Sequence, residues 1–231
     1  MPAIDVLVRP VWNALSTRQA ELAIGGEHAR CFPPDIGTLA GARDDSPESL
    51  RALAELVPSA APLLLLQADP IVVPPGTVAT ITAAGVQMIA ERIAPAPVDA
   101  RIEQLTDADG PAMLALATLT KPGPFAARTP SLGEFWGVKD AGVLVAMAGE
   151  RMKHPGFTEV SGVCTHPDAR GRGLARLLSA WMTARIAARG DTPYLHAYAS
   201  NTAAIELYRS LGFAVHRAMH VAAIVRASSV T

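Results

Sequence analysis

The sequence predicts an α/β protein, and three observations carry that prediction. Between residues 158 and 225 the apolar pattern changes in the order strand, helix, strand, helix, strand. Asp140-Ala141-Gly142 separates two apolar runs with the chemistry of a tight hairpin. Leu174, Leu177, Leu178, Trp181, Met182 and Ile186 recur at helical spacing, so one face of a long helix is built to pack on a sheet.

Residues 10–37 hold helical patches that Gly25-Gly26 and Pro33-Pro34 interrupt. Ser46-Pro47-Glu48 then opens a helix through Leu50, Leu53, Leu56 and Val57, with Pro47 suited to its first turn. Residues 63–66 and 77–82 read as short strands, and 85–93 as a further strand or short helix. Ala94-Pro95-Ala96-Pro97 removes backbone donors and disfavours helix, which places a boundary there. The expected division is an N-terminal α/β lobe, 1–97, and a second domain, 98–231.

After the boundary, Asp107 and Asp109 favour the start of a helix over 106–119. Residues 121–130, with three prolines and a glycine, form a surface loop suited to a substrate entrance. Strands follow at 134–139, 143–150 and 158–165, a helix at 174–189, a strand at 194–199, a helix at 202–211, and a last strand or pair at 213–225.

Composition excludes several classes. The 20 Lys+Arg against 21 Asp+Glu leave no basic surplus for nucleic acid or an anionic membrane. The most apolar stretch, 60–73, is broken by Pro62, Gln67, Asp69 and Pro70, short of the roughly 20 apolar residues that span a bilayer. Cys31 and Cys164 are far apart and outside metal-ligand spacing, so neither a disulfide framework nor a metal site is expected. Met1 to Trp12 lacks a secretory layout, and a reducing, cytoplasmic location is the expectation.

The segment from Val163 to Ala175 puts a glycine-rich turn between a strand and the long helix. Glycines at 171 and 173 let backbone approach a ligand closely. The free N–H groups of the helix start, backed by the helix dipole, suit a pyrophosphate, and Arg170 and Arg172 add positive charge. The loop lacks the Gly-Lys-Ser/Thr ending of a P-loop and the glycine spacing of a dinucleotide fold.

Arg170-Gly171-Arg172-Gly173-Leu174-Ala175 resembles the pyrophosphate loop of the GCN5-related N-acetyltransferases, Arg/Gln-x-x-Gly-x-Gly/Ala. A second pattern of that family, Asn-x-x-Ala-x-x-x-Tyr followed by Gly-Phe, is met by Asn201, Ala204, Tyr208, Gly212 and Phe213. The resemblance covers about residues 98–225. Within the family, Val160 to Pro167 looks most like the glycine N-acyltransferase-like branch, whose members carry a degenerate acetyltransferase-like half before the active one. Residues 1–97 are then such a half, although no cofactor loop is visible there.

The resemblance implies a mixed, mainly antiparallel sheet flanked by helices. It also implies acetyl-CoA as acyl donor, a primary amine of a small molecule or peptide as acceptor, and no metal. Val163, Cys164 and Thr165 would meet the pantetheine, residues Arg170, Gly171, Arg172, Gly173, Leu174 and Ala175 the pyrophosphate, and Asn201 and Ala204 the cofactor or their own helix. Tyr208 is the general-acid candidate, because a phenol is protonated at neutral pH and can donate to the departing thiolate. Glu159 is the first candidate for general base, on the strand face of Ser161 and Val163, with His166 and His196 as alternatives. A covalent acyl-enzyme on Cys164 is disfavoured. The rival reading is a non-catalytic acyl-CoA-binding or sensor protein. Trp12, Trp136 and the apolar edges are compatible with lobe docking or a homodimer.

Overall fold

The computed structural model describes residues 4–227. The first part contains α1 (Pro10–Ser16), β1 (Ile24–Gly25), β2 (Ala29–Cys31), β3 (Leu39–Ala42), α2 (Pro47–Leu56), β4 (Leu63–Gln67) and β5 (Thr77–Ala90). Helix α2 starts where the sequence placed it. The Ser46 side chain accepts from the Ser49 N–H at 3.3 Å and Pro47 fills the first turn, so two of the features that begin helices coincide. Residues 77–90 form one strand of 14 residues, where the sequence suggested two elements, because pairing on β5 continues through Gly85 without a break.

The second part contains β6 (Ile102–Leu105), α3 (Gly110–Thr120), β7 (Phe135–Asp140), β8 (Val143–His154), β9 (Phe157–Thr165), α4 (Leu174–Ala188), β10 (Thr192–Tyr198), α5 (Thr202–Ser210) and β11 (Phe213–Arg226). Thr106 and Asp109 form a reciprocal capping box ahead of α3. Ala141 and Gly142, at φ 49° and 82°, make the two-residue turn between β7 and β8, a left-handed pair that matches strand twist. Residues 213–226 form one strand with register shifts, so the pair that the sequence allowed is a single bulged element.

All eleven strands among the described residues belong to one sheet, in the order β1-β2-β3-β4-β11-β5-β10-β9-β8-β7-β6. Only β3 with β4 and β9 with β10 are parallel. The sheet is therefore mixed and mainly antiparallel. Strand β5 from the first part lies between β10 and β11 of the second, antiparallel to both. The proline-rich link at 94–97 thus joins two strands of the same sheet rather than two separate sheets.

Leu174, Leu178, Met182 and Ile186 of α4 are buried in one core cluster with Val160 of β9 and Ala146 and Ala148 of β8. Each such side chain contributes on the order of 1.5–3 kcal/mol on burial. Leu177 and Trp181 flank the buried stripe and are only partly covered. A helix fixed along its whole length in this way holds its first turn at the C-terminal end of β9, in the middle of the sheet.

Candidate active site

Strands β9 and β10 pair only from Phe157↔Thr192 to Glu159↔Tyr194. Beyond that point they part, and a cavity of about 960 Å³ occupies the opening. Strand β9 is bulged at the same place. Gly149 pairs with Ser161 and Met147 with Cys164, so Gly162 and Val163 together face Ala148 alone. Gly162 sits at φ 63°. Such a bulge turns backbone donors away from the ladder, and Val163, Cys164 and Thr165 line the cavity directly after it.

The chain leaves β9 through a short 3-10 turn at Pro167–Ala169. His166 caps that turn, its Nδ1 accepting from the Asp168 N–H at 3.3 Å, so it serves structure. Gly171 and Gly173 follow at φ 77° and 72°, a region that L side chains enter only at a cost. Gly173 is the N-cap of α4. A Cβ on either glycine would meet nothing within 4 Å, so the loop presents bare backbone to open space.

Arg170, Gly171, Gly173, Leu174, Ala175 and Arg176 line the cavity. The Arg172 side chain does not. Its guanidinium turns outward to Asp140 at 2.7 Å. Arg176 hydrogen-bonds Ser210 of α5. Exposed N–H groups at a helix start, with two arginines beside them, fit a pyrophosphate by charge and by hydrogen bonding.

Across the opening, Asn201, Ala204 and Tyr208 of α5 line the same cavity. Asn201 caps α5, its side chain accepting from the Ala204 N–H at 3.2 Å. Tyr208 is 9% exposed and packs edge-on against Phe213, ring centroids 6.0 Å apart. Burial pushes its phenol up to about 12, which keeps the proton on oxygen at any physiological pH. Cys164 is buried, and burial raises its thiol to about 11, so the reactive thiolate is scarce.

The strand period put Glu159 on the face of Ser161 and Val163, and the bulge at Gly162–Val163 moves only Val163 off that alternation. Glu159 is fully buried and is not part of the cavity wall. Oε2 accepts from Arg151 Nε at 2.8 Å, and Oε1 accepts from Arg151 Nη2 at 2.6 Å. His196 Nδ1 reaches the same Oε1 at 2.7 Å. Burial opposes ionisation here, but the Arg151 guanidinium outweighs it and holds the carboxyl well below the usual carboxylate range. A buried carboxylate already committed to two cationic or polar partners is a poor direct proton acceptor.

His196 does line the cavity. Its pairing with a carboxylate puts the proton on Nδ1 and the lone pair on Nε2, where it accepts from the Gln87 side-chain amide of β5 at 3.0 Å. Behind it, His154 Nε2 and the Tyr194 hydroxyl lie 2.8 Å apart, both fully buried. Sequence reasoning missed Arg151, Leu39, Leu64 and Leu66 on the cavity wall, and Gln87 buried behind it. The one signal available for Gln87 was an amide in an otherwise apolar run. Lys121, Pro122, Gly123 and Pro124, from the loop read as a surface segment, line the opening. Among the described residues no group of His, Cys, Asp and Glu is arranged to hold a metal, and no helix is long and apolar enough to cross a membrane.

A family model described as FR47-like protein matches residues 136–221. The whole chain is similar to a crystal structure from the GNAT family of acetyltransferases, from Novosphingobium aromaticivorans. That match has a TM-score of 0.90 and 44% identity, and covers 96% of this chain and 99% of that one. A GCN5-related N-acetyltransferase from Kribbella flavida shares the fold with a TM-score of 0.64 at 19% identity, over 95% of this chain and 96% of that one. No curated protein matches the sequence.

Proposed function

The chain belongs to the GNAT family of acetyltransferases, and from that premise we propose that it moves an acetyl group from acetyl-CoA to a primary amine by direct attack. The observation that carries this reading is the placement of Tyr208, buried and protonated, on the same cavity as the bare-backbone start of α4. A protonated acid facing the cavity also favours catalysis over mere acyl-CoA binding.

In this reading the pyrophosphate sits on the N–H groups of Arg170 to Ala175, with Asn201 and Ala204 on the far wall. The pantetheine runs along Val163, Cys164 and Thr165. Backbone donors at the Gly162–Val163 bulge polarise the thioester carbonyl. The neutral amine attacks that carbonyl, the C–S bond breaks, and Tyr208 gives its proton to the sulfur of coenzyme A. The ammonium proton leaves to water in the cavity. Glu159 holds the Arg151 guanidinium and the His196 ring in place, and is thus a positioning residue rather than the base itself. Once the proton returns to Tyr208, the products are an amide and the free thiol.

The finer assignments belong to the same proposal. Residues 1–97 act as a lobe that lends β5 to the catalytic sheet, and residues 98–231 as the catalytic part. The likeness of Val160 to Pro167 to the glycine N-acyltransferase-like branch supports reading 1–97 as a degenerate half. A reducing, cytoplasmic location is supported by Cys31 and Cys164, both buried and free. The test is calorimetric titration with acetyl-CoA, followed by assay of coenzyme A thiol release against a panel of amines. Saturable binding with amine-dependent release supports the reading. Binding without turnover on any amine favours a sensor, and no binding removes the reading altogether.

A further inference from the structure

The side chains lining the cavity carry positive charge or none. Lys121, Arg151, Arg170 and Arg176 are there, and no aspartate or glutamate is. Arg170 and Arg176 stand at the α4 start, the pyrophosphate end of the proposed donor site. Lys121, on the entrance loop, has no ion-pair partner among the described residues. Arg151 stands where β9 and β10 part. An acceptor recognised through its ammonium would need a carboxylate on this wall, and the wall offers the opposite charge.

Arg151 commits Nε and Nη2 to Glu159. Its Nη1 makes no hydrogen bond among the described residues and lies 3.9 Å from the position a Cβ on Gly123 would take, beneath the entrance loop. Support of Glu159 accounts for two nitrogens of the guanidinium and leaves the third unexplained. A guanidinium edge on a mostly apolar wall is a carboxylate site.

The rest of this end is an apolar floor that crosses four strands. Gly85 pairs with Met219, Val221 with Leu66, and Leu64 with Leu39, so the row is continuous from β5 through β11 and β4 to β3. All six line the cavity. Gly85 contributes no side chain, and Met219 packs closely against it, 3.5 Å from where a Cβ would stand.

We propose that the acceptor is an α-amino acid with a large apolar side chain, its carboxylate bound by Arg151 Nη1 and its side chain laid on the Leu39, Leu64, Leu66, Met219 and Val221 floor. The proposal rests on the acetyl-transfer reading above. It adds a carboxylate anchor and a preference for bulk. The α-amine then lies beside His196, because Arg151 and His196 meet on one oxygen of Glu159.

The experiment compares kcat/KM for L-leucine, L-leucinamide, 3-methylbutylamine and glycine by coenzyme A thiol release, beside a titration with acetyl-CoA. L-Leucine is expected to exceed the amide and the decarboxylated amine by about tenfold or more, the worth of one charged hydrogen bond. The amide is a stringent control, since its less basic amine is more often neutral and would win on reactivity alone. L-Leucine is also expected to exceed glycine. An amide or amine as good as leucine overturns the carboxylate anchor, and glycine as good as leucine overturns the apolar subsite. Turnover of none of the four by a protein that binds acetyl-CoA overturns the proposal while leaving the donor site intact. Failure to bind acetyl-CoA brings down the transfer reading itself.

Arg151→Lys retains a cation for Glu159 and loses the free Nη1. In folded variant protein the leucine-to-leucinamide ratio is expected to collapse toward unity. An equal loss for both acceptors, with the ratio unchanged, assigns Arg151 to structure alone and overturns its part in recognition.

Discussion

His196 Nδ1 lies 2.7 Å from Glu159 Oε1, at the point where β9 and β10 cease to pair. The two residues are 37 apart in sequence, and the contact joins the last paired position of one strand to the open wall of the next. It brings a buried carboxylate within one imidazole of the cavity. That arrangement sets the first expectation. Glu159→Gln leaves the Arg151 guanidinium without its counter-charge, at a cost of about 3–5 kcal/mol in stability. It lowers kcat while the Kd for acetyl-CoA stays unchanged, because the donor subsite lies elsewhere. Calorimetric titration beside steady-state kinetics checks the split.

The same carboxylate and its neighbour His154 shape stability against pH. Burial holds His154 down at about 4 in the folded protein, below the ordinary value of about 6.5. The unfolded chain therefore binds a proton that the folded chain refuses, and stability falls as pH drops from about 6.5 to about 4. The full effect is on the order of 3 kcal/mol. Glu159, held below the carboxylate range, adds stability that is complete above the ordinary carboxylate value of about 4.3 and is lost as pH falls further. Melting temperatures of wild type and His154→Gln between pH 7 and pH 4 separate the two, since only the upper part of the slope flattens in the variant.

Tyr208→Phe keeps the edge-on contact with Phe213 and removes only the hydroxyl. The variant should fold, bind acetyl-CoA as before, and lose about a hundredfold in kcat. Single-turnover kinetics with bound acetyl-CoA reads this directly. An unchanged kcat would assign the phenol to packing.

Gly173 holds a left-handed conformation at the start of α4, so Gly173→Ala strains the loop by about 1–2 kcal/mol. Affinity for acetyl-CoA should fall about tenfold in titration. Gly173→Trp also fills the open space beside the glycine and should abolish binding in a folded protein. Arg172→Lys should change affinity little, because that side chain faces Asp140 rather than the cavity.

Cys164→Ala should retain turnover within a few fold. The thiol is buried and held up at about 11, so wild type should also resist alkylation by iodoacetamide near neutral pH. A coenzyme A thiol-release assay checks the first statement, and mass spectrometry after timed labelling the second.

The glycine-arginine loop, the stripe of α4, the Ser46 cap, the Ala141-Gly142 turn and the Asn201–Tyr208 spacing were legible in the sequence. Each depends on contacts within a turn or two of helix or one hairpin, where propensity and period speak directly. Tertiary structure alone decided the rest. No local pattern says that β5, from before the proline link, will lie between β10 and β11, or that Arg151, Glu159 and His196 will meet on one carboxylate. Nor does local pattern tell Glu159 from a cavity-facing residue, because its burial is set by Arg151 and His196, which neighbouring strands bring to it. Strand order and register are set by partners far along the chain, whose pairing each segment satisfies equally well in isolation with many neighbours. The sequence thus determined the glycine-arginine turn and the helical placement of Tyr208, while the sheet's long-range pairing chose which charges face the cavity.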